Sequence, residues 1–237
     1  MVNKYVMEIK KDGYIKYISH LDMVKLFKNA FKKAGIGLAY SQGFNPHPKM
    51  GFAQPLPLGY SSSCEILEFE TKEDMEPDWV LAQIRGAVPE GIAALSCKRF
   101  AGGKSFAARA YAASYEITIP EGQGKTARWF RGPDSGGGAG RGCRIDELCE
   151  EFLNQEKIIA LKQQKKTGSQ KEIDIKNMIR SLSGAEVSGK TVLNAKLDAG
   201  SNSNLSPELL ISSFISFAGA CAEREDIDVK RVALFFD

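Results

Sequence analysis

The sequence predicts an α+β protein made of two ferredoxin-like (βαββαβ) halves with antiparallel sheets. Two observations lead there. Segments of alternating and of helical period run strand, helix, strand, strand, helix, strand over residues 1–104. The same order repeats over residues 105–237, after a connector of small residues at 100–112. The halves share a pattern and no obvious identity. A chain of 237 residues has room for two such units.

Residues 4–10 alternate, with Tyr5, Met7 and Ile9 on one side and Lys4, Val6, Glu8 and Lys10 on the other, which reads as a strand. Asp12-Gly13 is a turn, and residues 14–18 extend or pair with that strand. Ser19 then caps a helix, with Asp22 in its first turn. Leu21, Val24, Phe27, Phe31 and Ala34 form its apolar face, Lys25, Lys28, Lys32 and Lys33 lie elsewhere, and Gly35 stops it. A second strand starts at residues 38–41, and residues 49–53 resume it after a loop. Residues 64–71 form a strand with Glu65, Glu68 and Glu70 expected to look outward. A helix begins at Pro77 or Asp78, with Trp79, Leu81, Ala82, Ile84 and Val88 apolar, and residues 92–98 close the first half as a strand.

In the second half, residues 114–119 read as a strand, 146–154 as a short helix and 158–163 as a strand. A Gly-rich insertion occupies 131–142 and has the composition of a flexible segment. Residues 172–182 fit strand or helix equally. Residues 191–197 alternate as a strand, Ser206-Pro207 starts a helix running to 222, and 229–235 form the last strand.

Composition narrows the function classes. No apolar run reaches the roughly 20 residues that span a bilayer, and the N-terminus lacks the apolar centre of a signal peptide, so a cytoplasmic protein without membrane contact is expected. The five cysteines are scattered, with no CxxC and no iron–sulfur ligand spacing; reduced thiols, no metal site and no bound cofactor are expected. Net charge is only +3, yet residues 1–50 hold nine lysines against three acidic residues, a net of +6. That imbalance reads either as a basic face for phosphate-bearing partners or as the solvated side of a helix.

Residues 40–59 carry four of the nine prolines and one of the two histidines, yet also Phe44, Met50, Phe52, Leu56 and Leu58. Such a stretch is too irregular for a helix and too apolar for a linker, and reads as a rigid presenting loop. Tyr17-Ile-Ser-His-Leu-Asp22, the basic helix ending Lys33-Ala34-Gly35, Leu38-Ala-Tyr-Ser-Gln-Gly-Phe-Asn-Pro-His-Pro-Lys-Met50 and Pro55-Leu-Pro-Leu-Gly59 together resemble the radical SAM-linked protein family. This domain of unknown function is found alone or as the C-terminal region of radical SAM proteins. Lys171-Glu-Ile-Asp-Ile-Lys176 and Val229-Lys-Arg-Val-Ala-Leu234 are similar to it too, whereas the Gly-rich insertion departs from it. The resemblance implies an accessory module for a radical SAM partner. The radical chemistry itself belongs to that partner, because this chain lacks the cysteine cluster.

Three functions remain open. The first is RNA binding. Lys25, Lys28, Lys32 and Lys49 would contact phosphates, and Tyr40 and Phe44, with Phe52, would stack on bases or else serve as core. Ser19 and Asp22 at the helix start, Ser41 and Gln42 in the turn, and Asn45 before Pro46 complete the candidate binding set. The second is a metal-independent endoribonuclease with His20 and His47 as acid and base. The third is a protein-interaction adaptor without nucleic acid. RNA and a radical SAM protein are the expected partners, and DNA is not.

Overall fold

The computed structural model describes residues 3–120, 144–163, 169–220 and 222–237. In chain order its elements are β1 (Asn3–Lys11), α1 (His20–Lys33), β2 (Met50–Phe52), β3 (Ser61–Thr71), α2 (Pro77–Ala87), β4 (Ile92–Arg99), the one-turn α3 (Phe106–Arg109), β5 (Ala110–Pro120), α4 (Ile145–Asn154), β6 (Ile159–Gln163), β7 (Gln170–Asp174), β8 (Ile179–Val187), β9 (Lys190–Asp198), α5 (Pro207–Ala218) and β10 (Asp228–Phe236). The class is α+β with mostly antiparallel pairing, as expected. The chain forms two compact units: Met1–Tyr111 with Lys230–Asp237, and Ala112–Val229. The last strand, expected in the second half, thus returns most of its length to the first unit. The Gly-rich stretch 131–142 and the basic pair Lys165 and Lys166 lie outside the described residues. No described helix is long and apolar enough to cross a membrane.

In the first unit β4, β1, β3 and β2 lie side by side, each antiparallel to its neighbour. β2 pairs with the end of β3, and β10 runs parallel to its start, with Lys230 opposite Ser61 and Arg231 opposite Ser62. Tyr5, Met7 and Ile9 of β1 and Leu67 and Phe69 of β3 point into the core beneath Phe27 and Phe31 of α1 and Val80 and Ile84 of α2. Each large apolar side chain so buried contributes about 1.5–3 kcal/mol. Ser19 caps α1 as expected, accepting from the Asp22 amide at 3.2 Å, and Gly35 follows the helix at φ +71°.

Four local expectations are corrected. Residues 14–18 do not extend β1: Gly13–Tyr17 is a 3-10 turn, closed by the Ile18 amide donating to the Ile15 carbonyl. Leu21 is exposed and Met23 fills the core instead, because the buried stripe of α1 runs Met23, Phe27, Ala30, Phe31. Trp79 is likewise exposed, leaving Val80 and Ile84 as the inward residues of α2. Residues 38–41 make only single bridges, Leu38 to Thr71 and Tyr40 to Pro48, so the strand proper is the three-residue β2.

In the second unit β9 lies between β5 and β8, antiparallel to both. α4 packs on β8 so closely that a Cβ at Gly184 would meet Ile145 at 2.7 Å and Leu193 at 3.1 Å. Phe152 of α4 meets Phe214 of α5 edge to face at 5.2 Å. The ambiguous residues 172–182 divide: β7 ends at Asp174, a 3-10 turn spans Lys176–Met178, and β8 begins at Ile179. β6 and β7 form a separate hairpin outside the β5–β9–β8 sheet. α5 starts at Ser206-Pro207 as expected and stops at Gly219, at φ +63°, rather than reaching 222.

Candidate functional site

The loop at 40–59 has two halves of opposite character. Its first half is a pinned, exposed tip. The Ser41 amide donates to the His47 carbonyl (2.9 Å), the His47 amide donates to Ser41 Oγ (3.0 Å), and the Lys49 amide donates to the Ala39 carbonyl (2.8 Å). The Ala39 amide in turn donates to the Glu70 carbonyl (2.8 Å), and the Glu70 amide to the Lys49 carbonyl (2.9 Å), so the tip stands on the end of β3. Gln42, Phe44, Asn45 and His47 are exposed there, and Phe44 is 107% exposed. Tyr40 is 42% exposed at the root. Lys49, half-exposed, pairs with Glu70 Oε2 at 2.8 Å.

The second half turns inward. Ala53 and Leu56 are buried, and the Phe52 ring meets the rings of His20 and Phe27 edge to face, both at 5.7 Å. The carbonyls of Gln54 and Pro55 each accept a bond from the Arg231 guanidinium at 2.9 Å. Arg231 is 1% exposed and also donates to both oxygens of Glu65, at 3.0 and 3.2 Å. Beside that pair lies Lys11, 2% exposed, whose ammonium donates to the Ile18 carbonyl at 3.2 Å. Glu65 was expected to look outward. The inward set of β3 is Glu65, Leu67, Phe69 and Thr71, so Glu65 lies on the core face.

His20 borders this buried polar cluster, in a void of about 10 Å³ lined with Lys11, Met23, Phe52, Leu56 and Glu65. That is room for one water. Burial holds the His20 imidazole below its ordinary value; Glu65 opposes this and Lys11 adds to it. Burial likewise lowers the Lys11 ammonium, against the pull of Glu65 and with the push of Arg231. His47, by contrast, is at the exposed tip, so the two candidate histidines stand in different surroundings.

Ser19, Asp22 and Lys25 come together at the start of α1. The Ser19 hydroxyl donates to Asp22 Oδ2 at 2.7 Å and Lys25 reaches Asp22 Oδ1 at 3.4 Å. The Ser19 hydroxyl, then Lys25, hold the Asp22 carboxyl below the usual range. Lys28 and Lys32 are exposed. Tyr14 and Tyr17, 93% and 61% exposed, lie on the preceding turn, with the Lys16 ammonium 5.2 Å from the Tyr17 ring centre. The Gly59 amide donates to the Lys16 carbonyl, joining this turn to the end of the loop. Burial pushes the thiols of Cys64 and Cys97 up to about 11, and that of Cys149 up to about 12, which disfavours their thiolate forms at neutral pH.

Lys11, Glu65 and Arg231 were not anticipated as a cluster. The signal for the first two was in the alternation itself, since Lys11 continues the phase of Tyr5, Met7 and Ile9, and Glu65 that of Leu67 and Phe69. Nothing local announces Arg231, whose partners lie more than 160 positions away.

Residues 4–207 match the family described as an uncharacterized protein conserved in bacteria (DUF2344). The chain belongs to that family. No curated protein matches it. Among solved structures it is similar to a chain of a Cbf5-Nop10-Gar1 complex, at 12% identity over 97% of this chain and 48% of the other, with a TM-score of 0.48. It thus spans about half the length of that chain. It is also similar to an unknown protein from Galdieria sulphuraria, at 15% identity over 98% of this chain and all of the other, with a TM-score of 0.27. Neither likeness bears on what this chain does.

Proposed function

We propose that the chain is an RNA-binding accessory module that serves a radical SAM protein. The observation that carries the reading is Phe44, wholly exposed on a loop whose backbone is pinned to β3. A rigid loop presents an aromatic face with little ordering cost, which suits stacking on an unpaired base. The exposed Lys28 and Lys32, with Lys25 in a weak surface pair, supply sequence-independent attraction to phosphates. The tyrosines of the preceding turn offer further stacking faces. The motif resemblance supports the radical SAM protein as the partner that acts on the bound RNA. Binding is favoured over cleavage, because His20 has room beside it for about one water rather than a scissile phosphate.

The test is fluorescence anisotropy with a labelled single-stranded RNA across a salt series. Phe44→Ala is expected to weaken binding by about 1–3 kcal/mol. Replacing Lys25, Lys28 and Lys32 by Gln is expected to reduce the slope of log affinity against log salt by about 2. Absence of RNA binding, or binding that both variants leave intact, would sink the reading. Loss of radical SAM protein capture in Phe44→Ala with RNA affinity unchanged would favour an adaptor instead.

A further inference from the structure

The sheet of the first unit has a second face, opposite α1 and α2. Along it the registers place Lys4, Glu70 and Lys49 in one cross-strand row and Val6, Glu68 and Gly51 in the next. Above these rows lies a cavity of about 230 Å³, walled by Phe100, Gly103 and Ser105. It is smaller than the roughly 300–1,000 Å³ of pockets for drug-sized ligands, and so suits one flat ring system.

We propose that this cavity is a binding pocket for a guanine base. The inference rests on the RNA-binding reading and names the base that the sheet face takes. Three features argue for it. First, the pocket is electrically balanced. Two lysines face two glutamates, and Lys4 and Lys49 both reach Glu70, at 3.2 and 2.8 Å. Such a lining does not select an anion; it selects a neutral group with donors on one edge and acceptors on another. Adenine and cytosine also carry both kinds of group, but guanine alone sets two adjacent donors on one edge, which a single carboxylate can accept together. Guanine N1–H and N2–H suit the Glu68 carboxylate, which otherwise accepts the Phe106 amide at one oxygen (2.7 Å), and its O6 and N7 suit a lysine. Second, Phe100 stands at the pocket wall, fixed by its amide donating to the Lys4 carbonyl at 2.9 Å, and supplies a ring for stacking.

Third, Gly51 occupies the strand position opposite Glu68. Glycine weakens a strand, and its usual warrants are a special backbone angle or a close neighbour. Gly51 has neither: its φ is not positive, and a Cβ there would meet nothing within 4 Å. Gly51 and Glu68 both line the cavity, and a side chain at Gly51 would project into its open space.

The test is a titration of the protein with guanosine, adenosine and cytidine 5′-monophosphates, followed by the amide NMR signals of Gly51, Glu68, Phe100 and Gly103. Guanosine monophosphate is expected to move these signals and to bind about tenfold or more tighter than the other two. Glu68→Gln is expected to abolish the preference, since an amide cannot accept from both guanine donors. Gly51→Val, which suits a strand better, is expected to fold at least as well as the wild type and to lose the binding. Equal affinity for the three nucleotides, shifts confined to other residues, or guanosine binding that survives Gly51→Val would overturn the pocket. Guanosine monophosphate binding without affinity for RNA would overturn the RNA reading and leave the pocket standing. RNA binding that depends on Phe44 without any guanosine preference would do the reverse.

Discussion

Two carboxylates on β3 each attract two cations, and their fates differ. Glu65 lies in the core with Arg231 and Lys11, and its side chain and that of Arg231 are 3% and 1% exposed. Glu70 lies five residues on, on the opposite face, with Lys4 and Lys49, whose side chains are 39% and 44% exposed. Burial pushes the Glu70 carboxyl up, but hydrogen bonds from Lys49 and Lys4 outweigh it and hold the carboxyl below its usual value. The same residue types thus do different work. The inner set has lost its water, so each polar atom depends on a protein partner, and Arg231 can hold the loop carbonyls of Gln54 and Pro55 in place. The lysines of the outer set keep their water, and the set contributes little to stability.

Removing one partner of the inner set has the largest expected effect. Arg231→Met strands Glu65 without its guanidinium and frees the two loop carbonyls, and should cost about 3–5 kcal/mol in urea unfolding. Replacing Glu65 by Met as well should recover much of that loss. A loss under about 1 kcal/mol in the single variant would mean that the inner pair is as wet as the outer one.

The next effect concerns pH at the edge of the inner cluster. His20 has a folded-state value below its ordinary 6.5, so the unfolded chain takes up this proton first as pH falls. The stability linked to it is present above about pH 6.5 and is lost as pH falls through the lower folded-state value. In His20→Gln the unfolding free energy should fall less between pH 7 and pH 5 than in the wild type, with the difference between the two proteins constant above pH 7. Parallel curves throughout would remove His20 from the desolvated set. Smallest is Lys49→Ala in the outer set: at most about 1 kcal/mol, shrinking with added salt, because Lys4 still pairs with Glu70. Its clearer sign would be an upward move of the Glu70 carboxyl titration followed by NMR.

Much of the architecture was legible in local pattern. The period of α1 and its Ser19 cap, the alternation of β1, β4 and β9, and the Ser206-Pro207 start of α5 depend on neighbours a few positions away. The β6–β7 hairpin was only half legible, because residues 172–182 carry apolar residues at spacings that serve either period. Leu21 and Trp79 misled because an apolar side chain at the rim of a stripe is as often wet as buried. At the site, the irregular course of residues 40–59 was legible in their prolines, and the contact of His20 with Phe52 was not.

What the sequence determined by itself was the run of strands and helices in most of the first half, the α1 cap and the start of α5. Those follow from backbone sterics and short-range hydrogen bonds. What only the tertiary structure decided was which charges became desolvated. Glu65 and Glu70 are indistinguishable as letters. One is buried because Arg231, from far along the chain, comes to lie across the loop's inner half; the other faces the cavity walled by Phe100, Gly103 and Ser105, held there by two half-exposed lysines.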